Sequence, residues 1–418
     1  MSMTSTPVLS RDFPVLNNST SRRLGYLSGA PRVSTRPDSE SSGPRSHILG
    51  VTGAFEELGW DVQSFILGNR ISSSLSHRSE GLMHRSRAHA LAADFGRMTM
   101  RVLNARAAWR ELGGRVDWVY ERLGSFQSLG RKFQKHGAVW ILESNALVFR
   151  EASVERRSSV LTSLARRLEF QAYRECDVIV VISELLKDLI CTEAAVAREK
   201  VLVVPNGVNT GVFDPSRYTA RRLFPGFTVG FVGRLNAWQA LDVLLHSVKE
   251  LRQELGIDIN VAIVGDGVMR NEWTGLASTL GLQNAVQFTG QVKFDEIPSY
   301  LAGFDVGYSG QIELKTAGMY LSPLKLYEYL AMAKPVVAAE FADARRLIRN
   351  GETGFLFESG NKEDLKRALT EAWSSRQKLP AMGRVARQEI IAQHSWKARV
   401  EQMIADIQRV IGERACAR

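Results

Sequence analysis

Short runs of aliphatic residues alternate with amphipathic segments of helical spacing in two successive sets along this chain. A continuous aliphatic run is typical of a parallel strand covered on both faces, and the segments between such runs predict the covering helices. The first set ends with the strand Val201–Val204, and the second begins at Thr228–Val232, after the proline-bounded stretch Pro205–Pro215. The pattern therefore predicts an α/β protein with two doubly wound domains.

The same alternation predicts the domain boundaries. Residues 1–22 are rich in Ser, Thr, Asn and Pro and are expected to form a loose N-terminal arm. We expect residues 23–205 to form the first domain, 206–390 the second, and 391–418 a C-terminal helix. Segments predicted within them include strand Arg23–Leu27, loop Ser28–Ser46 and the helices His47–Leu58, Leu82–Leu112, Val154–Arg174 and Ala381–Val410.

Composition excludes several classes of protein. A chain of 418 residues with 44% hydrophobic and 23% charged residues is typical of globular rather than disordered proteins. The longest purely aliphatic run, Val178–Ile182, is far shorter than the ~20 apolar residues of a membrane-spanning helix. The N-terminus lacks the apolar core of a secretory signal, and the three scattered cysteines match neither a disulfide framework nor a zinc cluster. A reducing, cytoplasmic setting is expected.

The net charge of +10 indicates an anionic partner. Phosphates, acidic membranes and nucleic acid all suit a basic surface. The chain has no zinc-finger spacing and no RNA-binding aromatic signature, so nucleic acid is not expected as a partner.

Gly233 and Arg234 follow the predicted strand Thr228–Val232 and precede a helix. Ligands of open α/β sheets bind beyond the carboxyl ends of the strands, where a glycine permits close backbone approach. A helix N-terminus and a guanidinium both favour phosphate. This segment predicts an anion site, with a tight turn carrying a surface arginine as the alternative.

A second candidate segment begins at Ser322-Pro323 and continues as a predicted helix, Leu324–Ala331. Lys325 lies in the first turn, against the helix dipole, which indicates an anion nearby. Glu328 follows at i,i+3 on the same face and could accept hydrogen bonds from vicinal hydroxyls of a ribose. A solvent-exposed Lys–Glu pair is the alternative.

Other motifs are weaker. Gly265-Asp266-Gly267 follows a predicted strand, but Arg270 stands where a dinucleotide signature requires its third glycine. No P-loop and no His-Glu-x-x-His pair occurs in the chain, so no metal site is predicted.

Together these segments resemble glycosyltransferase family 4. Residues 201–209 (VLVVPNGVN) and the later Phe213 match its interdomain segment. The resemblance is strong over about residues 175–400 and weaker before them, and it also includes FVGRL at 231–235, VGDG at 264–267, FTG at 288–290, SPLKLYEYLAMAKPVV at 322–337 and ETGFL at 352–356.

The resemblance implies the GT-B fold, in which two Rossmann-like domains face each other across a cleft and the last helix crosses back to the first domain. It implies a retaining, metal-independent glycosyltransferase that takes a sugar from a nucleotide-diphospho-sugar, with no cofactor besides this donor. The acceptor would be a glycan, a lipid-linked molecule or another glycoconjugate, as in polysaccharide and cell-envelope biosynthesis.

Site residues carry over by position. Arg234 would bind the donor diphosphate, Glu328 the ribose, and the Gly290–Val292 loop the base. The candidate catalytic residues are Arg234, Lys325, Glu328 and Asn145. The candidate donor-binding residues are Gly43, Gly233, Arg234, Gln239, Gly265, Gly290, Val292, Tyr320, Pro323, Leu324, Lys325 and Glu328.

Four positions depart from the family pattern. Gln239 replaces a phosphate-binding lysine, Tyr320 replaces a glutamate that touches the donor sugar, and Ala240 and Ala333 replace glycines. Lys325 is the candidate cation that compensates for Gln239. Two alternatives stay open: a catalytically impaired GT-B binding or scaffold subunit, and a nucleotide-sugar 2-epimerase, which the intact 205–208 and 322–337 segments disfavour.

The segment Arg85–Arg110 is basic and amphipathic. It is rich in arginine, and Leu91, Phe95 and Val102 belong to an apolar side at helical spacing. Such a helix can lie on an anionic membrane, which would place the protein at the inner face of the membrane. The alternative is a core helix with a solvated arginine face.

Overall fold

The computed structural model describes residues 22–37, 42–71, 87–155, 158–313 and 320–416. The predicted N-terminal arm, residues 1–22, lies outside the described residues except for Arg22. The first six strands are β1 (Arg23–Ser28), β2 (Asp61–Ile66), β3 (Trp118–Arg122), β4 (Val139–Ser144), β5 (Val178–Val181) and β6 (Val201–Val203). Six further strands are β7 (Thr228–Val232), β8 (Asn260–Val264), β9 (Val286–Phe288), β10 (Val306–Ser309), β11 (Val336–Ala339) and β12 (Gly354–Phe357).

Helices connect these strands in both halves. Those of the first half are α1 (Ser42–Glu57), α2 (Arg87–Leu112), α3 (Arg131–Lys135), α4 (Val148–Arg150), α5 (Thr162–Glu175) and α6 (Glu184–Ala194). Those after β6 are α7 (Leu241–Glu254), α8 (Arg270–Thr279), α9 (Ile297–Ala302), α10 (Leu324–Ala331), α11 (Ala342–Leu347), α12 (Lys362–Ser374), α13 (Leu379–Gln393) and α14 (Trp396–Cys416). None of the described helices is both long and apolar enough to cross a membrane.

The strands form two six-stranded sheets, ordered β2-β1-β3-β4-β5-β6 and β12-β11-β10-β7-β8-β9. All strand pairs within them are parallel. This confirms the predicted α/β class with two doubly wound sheets. The strand order reverses between β1 and β3 in the first sheet and between β7 and β10 in the second, so ligands are expected beyond the carboxyl ends of these strands. The predicted boundaries 23–205 and 206–390 stay predictions.

The C-terminal helix crosses back to the first half. Its residues Trp396, Val400 and Met403 are buried in one apolar cluster with Ile48 and Phe55 of α1. Burying this apolar stripe against α1 removes it from water, which is the main source of stability for such a helix. The crossing predicted from the family resemblance is therefore present.

The prediction of one continuous helix over Ala381–Val410 is wrong, because α13 ends at Gln393 and α14 begins at Trp396. The break has a backbone cause. The N–H of Val208 donates to the carbonyl of His394 at 3.1 Å, and the N–H of Trp396 donates to the carbonyl of Val208 at 3.1 Å. The interdomain segment thus pairs with residues 394–396 as a short β-bridge and interrupts the helical hydrogen bonds.

Two further predicted bounds are corrected. Helix α1 begins at Ser42, so the predicted loop Ser28–Ser46 ends earlier. The long helix of the predicted range Val154–Arg174 begins only at Thr162. Its N-terminus is fixed from a distance, since the Asp94 carboxylate accepts hydrogen bonds from the N–H groups of Val160 and Leu161 at 2.8 and 2.9 Å.

Ala240 and Ala333 both adopt left-handed backbone conformations, with φ of 50° and 54°. These are two positions where the family resemblance leads one to expect glycine. A left-handed L-residue costs about 1–2 kcal/mol. Ala333 lies two residues after the end of α10, and its N–H donates to the carbonyl of Leu330 at 3.0 Å. The backbone therefore keeps the left-handed conformation that glycine adopts readily, although alanine stands at both positions.

Candidate functional site at the facing sheet edges

Three glycine loops meet at the carboxyl edge of the second sheet. Gly233 follows β7 and Gly265 follows β8, both with φ of 139°, and Gly290 follows β9 with φ of 74°. A Cβ atom at Gly265 would overlap the carbonyl oxygen of Gly233. Gly265 is thus required for packing of the two loops against each other, and its predicted contact with the donor stays a prediction.

Lys325 projects from the first turn of α10 to this edge. Its ammonium donates a hydrogen bond of 2.6 Å to Oε1 of Gln239 and lies 3.9 Å from the ring centroid of Phe231. A Cβ at Gly233 would lie 3.5 Å from Lys325 Nζ. The structure therefore brings together Gly233, Gln239 and Lys325, three of the predicted donor-binding residues.

Burial changes the protonation of the pair on α10. Desolvation lowers the pKa of Lys325 to about 7, and the nearby Glu328 only partly opposes this. Desolvation likewise raises the pKa of Glu328 to about 7, with Lys325 opposing it. The side chain of Lys325 is buried, so the exposed ion pair considered as an alternative is excluded. An anionic ligand would favour the charged form of this lysine.

The other predicted residues of this half differ in their surroundings. Arg234 is exposed beside Gly233. Val292 packs partly into the core of the second half. Pro323 occupies the N-cap of α10 rather than its first helical position. Thus the structure leaves Arg234 accessible to a ligand, while Val292 is held mainly by packing.

The first half contributes the opposite wall. A Cβ at Gly43, near the start of α1, would lie 4.0 Å from Cδ1 of Leu324. Tyr320 is 3% exposed and packs into an apolar cluster of the first half. The N-terminal ends of α1 and α10 therefore face each other, and Tyr320 anchors the segment before α10 to the first half.

Sequence reasoning missed Arg45, which lies two residues after Gly43. Its guanidinium stacks on the ring of Phe294 at 4.9 Å, and its Nε donates to the carbonyl of Thr35 at 3.1 Å. Its buried Nη1 finds no hydrogen-bond partner among the described residues. A buried unpaired donor of this kind favours an anion. The available signal was its position in the first turn of a helix beside a glycine.

Glu143 lies near the carboxyl end of β4, is 1% exposed, and uses both carboxylate oxygens in polar contacts. Arg122 and Asn145 donate to its Oε1, and His47 lies 2.9 Å from its Oε2. Burial raises its pKa, but His47 and Arg122 together with these hydrogen bonds lower the pKa to about 2. With both oxygens occupied in this way, Glu143 serves as a structural anchor at this end of β4.

Asn145 lies beside Glu143 on the wall of a small cavity shared with Trp396 and Arg399 of α14. Its placement in the cleft near the donor sugar stays a prediction. Within the described ranges, no group of three or more His, Cys, Asp or Glu side chains is arranged to hold a metal ion.

Comparison with known proteins identifies the family. The Glycosyltransferase Family 4 profile matches residues 41–212, and the profile described as Glycosyl transferases group 1 matches residues 226–375. The chain belongs to the group 1, family 4 glycosyltransferases. Both halves of this glycosyltransferase are matched, including the two helix N-termini that face each other.

A curated relative of this glycosyltransferase is the GDP-mannose-dependent alpha-(1-6)-phosphatidylinositol monomannoside mannosyltransferase of Mycolicibacterium smegmatis. The two are 26% identical over 204 residues, which cover 47% of the chain and 53% of the relative. The matched region therefore spans about half the length of that relative.

Solved structures show the same fold. The sucrose-phosphate synthase of Thermosynechococcus elongatus matches with a TM-score of 0.69 at 15% identity, covering 94% of the chain and all of the synthase. Anabaena HepE in complex with UDP matches with a TM-score of 0.62 at 15% identity, covering 93% of the chain and all of that protein. The fold of the glycosyltransferase is GT-B.

Proposed function

We propose that this glycosyltransferase transfers a sugar, with retention of configuration and without a metal ion, from a nucleotide-diphospho-sugar to a lipid-linked or glycan acceptor. The observation that carries the proposal is the position of Lys325, whose ammonium lies beside Gly233 and Gln239. The family resemblance places a phosphate-binding lysine at position 239, and here Lys325 supplies the cation at the same place.

The facing helix ends suit a leaving diphosphate. The N-terminus of α10 presents the positive end of its helix dipole, and Lys325, the exposed Arg234 and the half-buried Arg45 add positive charge around it. Catalysis would consist of positioning and of stabilising the charge that develops on the diphosphate. Glu328 lies one turn along α10 from Lys325 and would accept hydrogen bonds from the hydroxyl groups of the ribose.

A thermal-shift panel tests the donor site. UDP, GDP, ADP and TDP are compared on the wild type, Arg234→Ala and Glu328→Ala. A nucleotide at about 100 times its Kd stabilises the folded chain by about 2.7 kcal/mol. We expect one nucleotide to raise the Tm of the wild type and of a surface control, Arg345→Ala. The same nucleotide should leave the Tm of both site variants unchanged. An unchanged Tm with all four would contradict the proposal and favour a binding or scaffold subunit.

The lipid-linked acceptor is supported by an unusual amphipathic helix, α2. Its side chains Phe95, Val102 and Leu103 are 56%, 51% and 51% exposed, whereas Asp94 and Asn104 are buried. Exposed apolar side chains therefore face outward, as the membrane-surface prediction requires, although other apolar residues of the helix are buried beside the two polar ones. Arg85 of the predicted segment lies outside the described residues.

The buried polar residues of α2 have hydrogen-bond partners inside the first half. Asp94 accepts from Arg97 at 2.6 Å and from Ser159 at 3.0 Å, and Asn104 donates to Gln127 at 3.2 Å. The outward side combines its apolar residues with exposed Arg106 and Arg110. Apolar residues flanked by arginines are the pattern that binds an anionic bilayer surface. We therefore propose a peripheral position on the inner face of a membrane.

Vesicle sedimentation tests this surface. We expect the protein to bind phosphatidylglycerol-containing vesicles and not pure phosphatidylcholine. The double variant Phe95→Ser/Leu103→Ser should bind about tenfold more weakly or worse, because two apolar side chains no longer enter the interface. The matched control Leu255→Ser/Val268→Ser removes exposed apolar residues elsewhere, 59% and 78% exposed, and should bind as the wild type. Equal binding by both variants would contradict the proposal.

A further inference from the structure

A buried polar chain joins the two halves of the molecule at His47 of α1. Its Nε2 lies 2.9 Å from Oε2 of Glu143 on β4, and its Nδ1 lies 2.8 Å from Oδ1 of Asn206 in the interdomain segment. All three side chains are less than a tenth exposed, at 7%, 1% and 8%. Water therefore does not replace these bonds readily, and the chemistry of the ring must match both partners.

The orientation of Asn206 is fixed by its second contact. Its Nδ2 donates to the carbonyl oxygen of Ser322, an atom that can only accept. The backbone N–H of Asn206 also donates to Oγ of Ser322 at 3.0 Å. A flipped amide would bring two oxygens together, so Oδ1 must face His47.

Glu143 also presents an acceptor. Burial raises its pKa, but the Arg122 guanidinium and the Asn145 amide, which both donate to Oε1, lower it, so the carboxylate is ionised. An ionised carboxylate only accepts hydrogen bonds. Both ring nitrogens of His47 therefore face acceptors, whereas a neutral imidazole has only one N–H to donate.

We infer that His47 is a positioning residue that carries both ring protons and, as an imidazolium, ties Glu143 of the first half to Asn206. Asn206 in turn holds Ser322, which lies three residues before Lys325. A ring with a single proton would donate only one of the two bonds and would hold the seat of α10 less firmly. This inference rests on the proposed function only where it concerns catalysis.

The charged groups around the ring support this state. From β4 the Glu143 carboxylate contacts the ring directly, and Arg122 of β3 lies on the far side of that carboxylate. From α14 Arg399 lines the same cavity, but it is bonded to His394 at 2.7 Å. Trp396, also from α14, meets the ring edge-on at 4.9 Å and adds no charge. The charged group in direct contact with the ring of His47 is therefore the carboxylate of Glu143.

Nitrogen NMR of the full chain labelled with ¹⁵N-histidine tests the inference directly. We expect two one-bond N–H correlations from one ring, which disappear in His47→Gln. The exposed His246 serves as the internal comparison, because its ring protons exchange freely with solvent. A single N–H correlation for His47 would overturn the inference. This result does not depend on turnover, so it is distinct from a failure of the proposed function.

Asn206→Ala tests the coupling. Without this acceptor the ring should keep only the proton that faces Glu143, so one of the two N–H correlations should be lost. The kcat/KM for the donor that the thermal-shift panel identifies should fall about tenfold. The matched control is Asn209→Ala, an exposed residue of the same segment that caps Gly211 and Val212, and it should change neither. Loss of the N–H correlation with an unchanged kcat/KM would overturn the positioning role.

Discussion

Replacement of Lys325 by methionine is expected to lower kcat/KM for the nucleotide-sugar donor by about 10²–10³-fold, the usual effect of removing one group that stabilises developing charge. Methionine fills a similar volume in this buried position, so the fold should persist. Gln239, to which the lysine donates at 2.6 Å, carries no charge and cannot replace it. Steady-state kinetics together with the Tm of the variant decide between lost chemistry and lost folding.

The same lysine predicts a pH dependence. Burial lowers the pKa of Lys325 to about 7, so the ammonium is present below pH 7 and is lost as the pH rises through that value. The affinity for the nucleotide-diphospho-sugar that the thermal-shift panel identifies, whose diphosphate does not titrate in this range, should therefore fall about tenfold between pH 6 and pH 8. Lys325→Met should bind weakly at both pH values, whereas the exposed-surface control Lys397→Met should keep the wild-type dependence. A pH dependence that survives in Lys325→Met would contradict this assignment.

The parts of the fold that sequence predicts well are those whose pattern is local. Strands β7 and β8 and helix α10 have the predicted bounds, because buried parallel strands read as continuous aliphatic runs and α10 follows directly on a proline. Local pattern also placed Lys325 and Glu328 on one helical face. The burial of Lys325, and hence its shifted pKa, could not be predicted because it depends on how α10 packs beside β7 and the loop that holds Gln239.

The missed features depend on contacts distant in sequence. The start of α5 depends on Asp94, more than sixty residues earlier, and the break before α14 depends on Val208. Helical periodicity continues through both places, so neither signal is visible locally. The orientation of α2 stayed open between two alternatives for a related reason: helical periodicity does not show that Asp94 and Asn104 point inward, and only their hydrogen-bond partners make that burial acceptable.

The contact between α1 and α14 predicts a loss of stability from a single added methyl group. A Cβ at Gly50 would overlap the indole of Trp396, the first residue of α14. Gly50→Ala must therefore displace the indole or the helix, and such overpacking costs about 1–3 kcal/mol or more. The displaced ring also contacts His47, so the change reaches the polar chain between the two halves.

Gly53, one turn further along α1, provides the matched control. A Cβ there would meet nothing within 4 Å, so Gly53→Ala gains only helix propensity, about 1 kcal/mol. The two alanine variants should thus change the free energy of unfolding in opposite directions, which urea titration of each against the wild type measures. If both alanines stabilise equally, α14 is not seated on α1, since the same backbone gain applies to both and only the indole distinguishes them. A loss at Gly50 that is relieved in the double variant Gly50→Ala/Trp396→Leu would assign the cost to the indole itself, because the smaller side chain leaves room for the added methyl group.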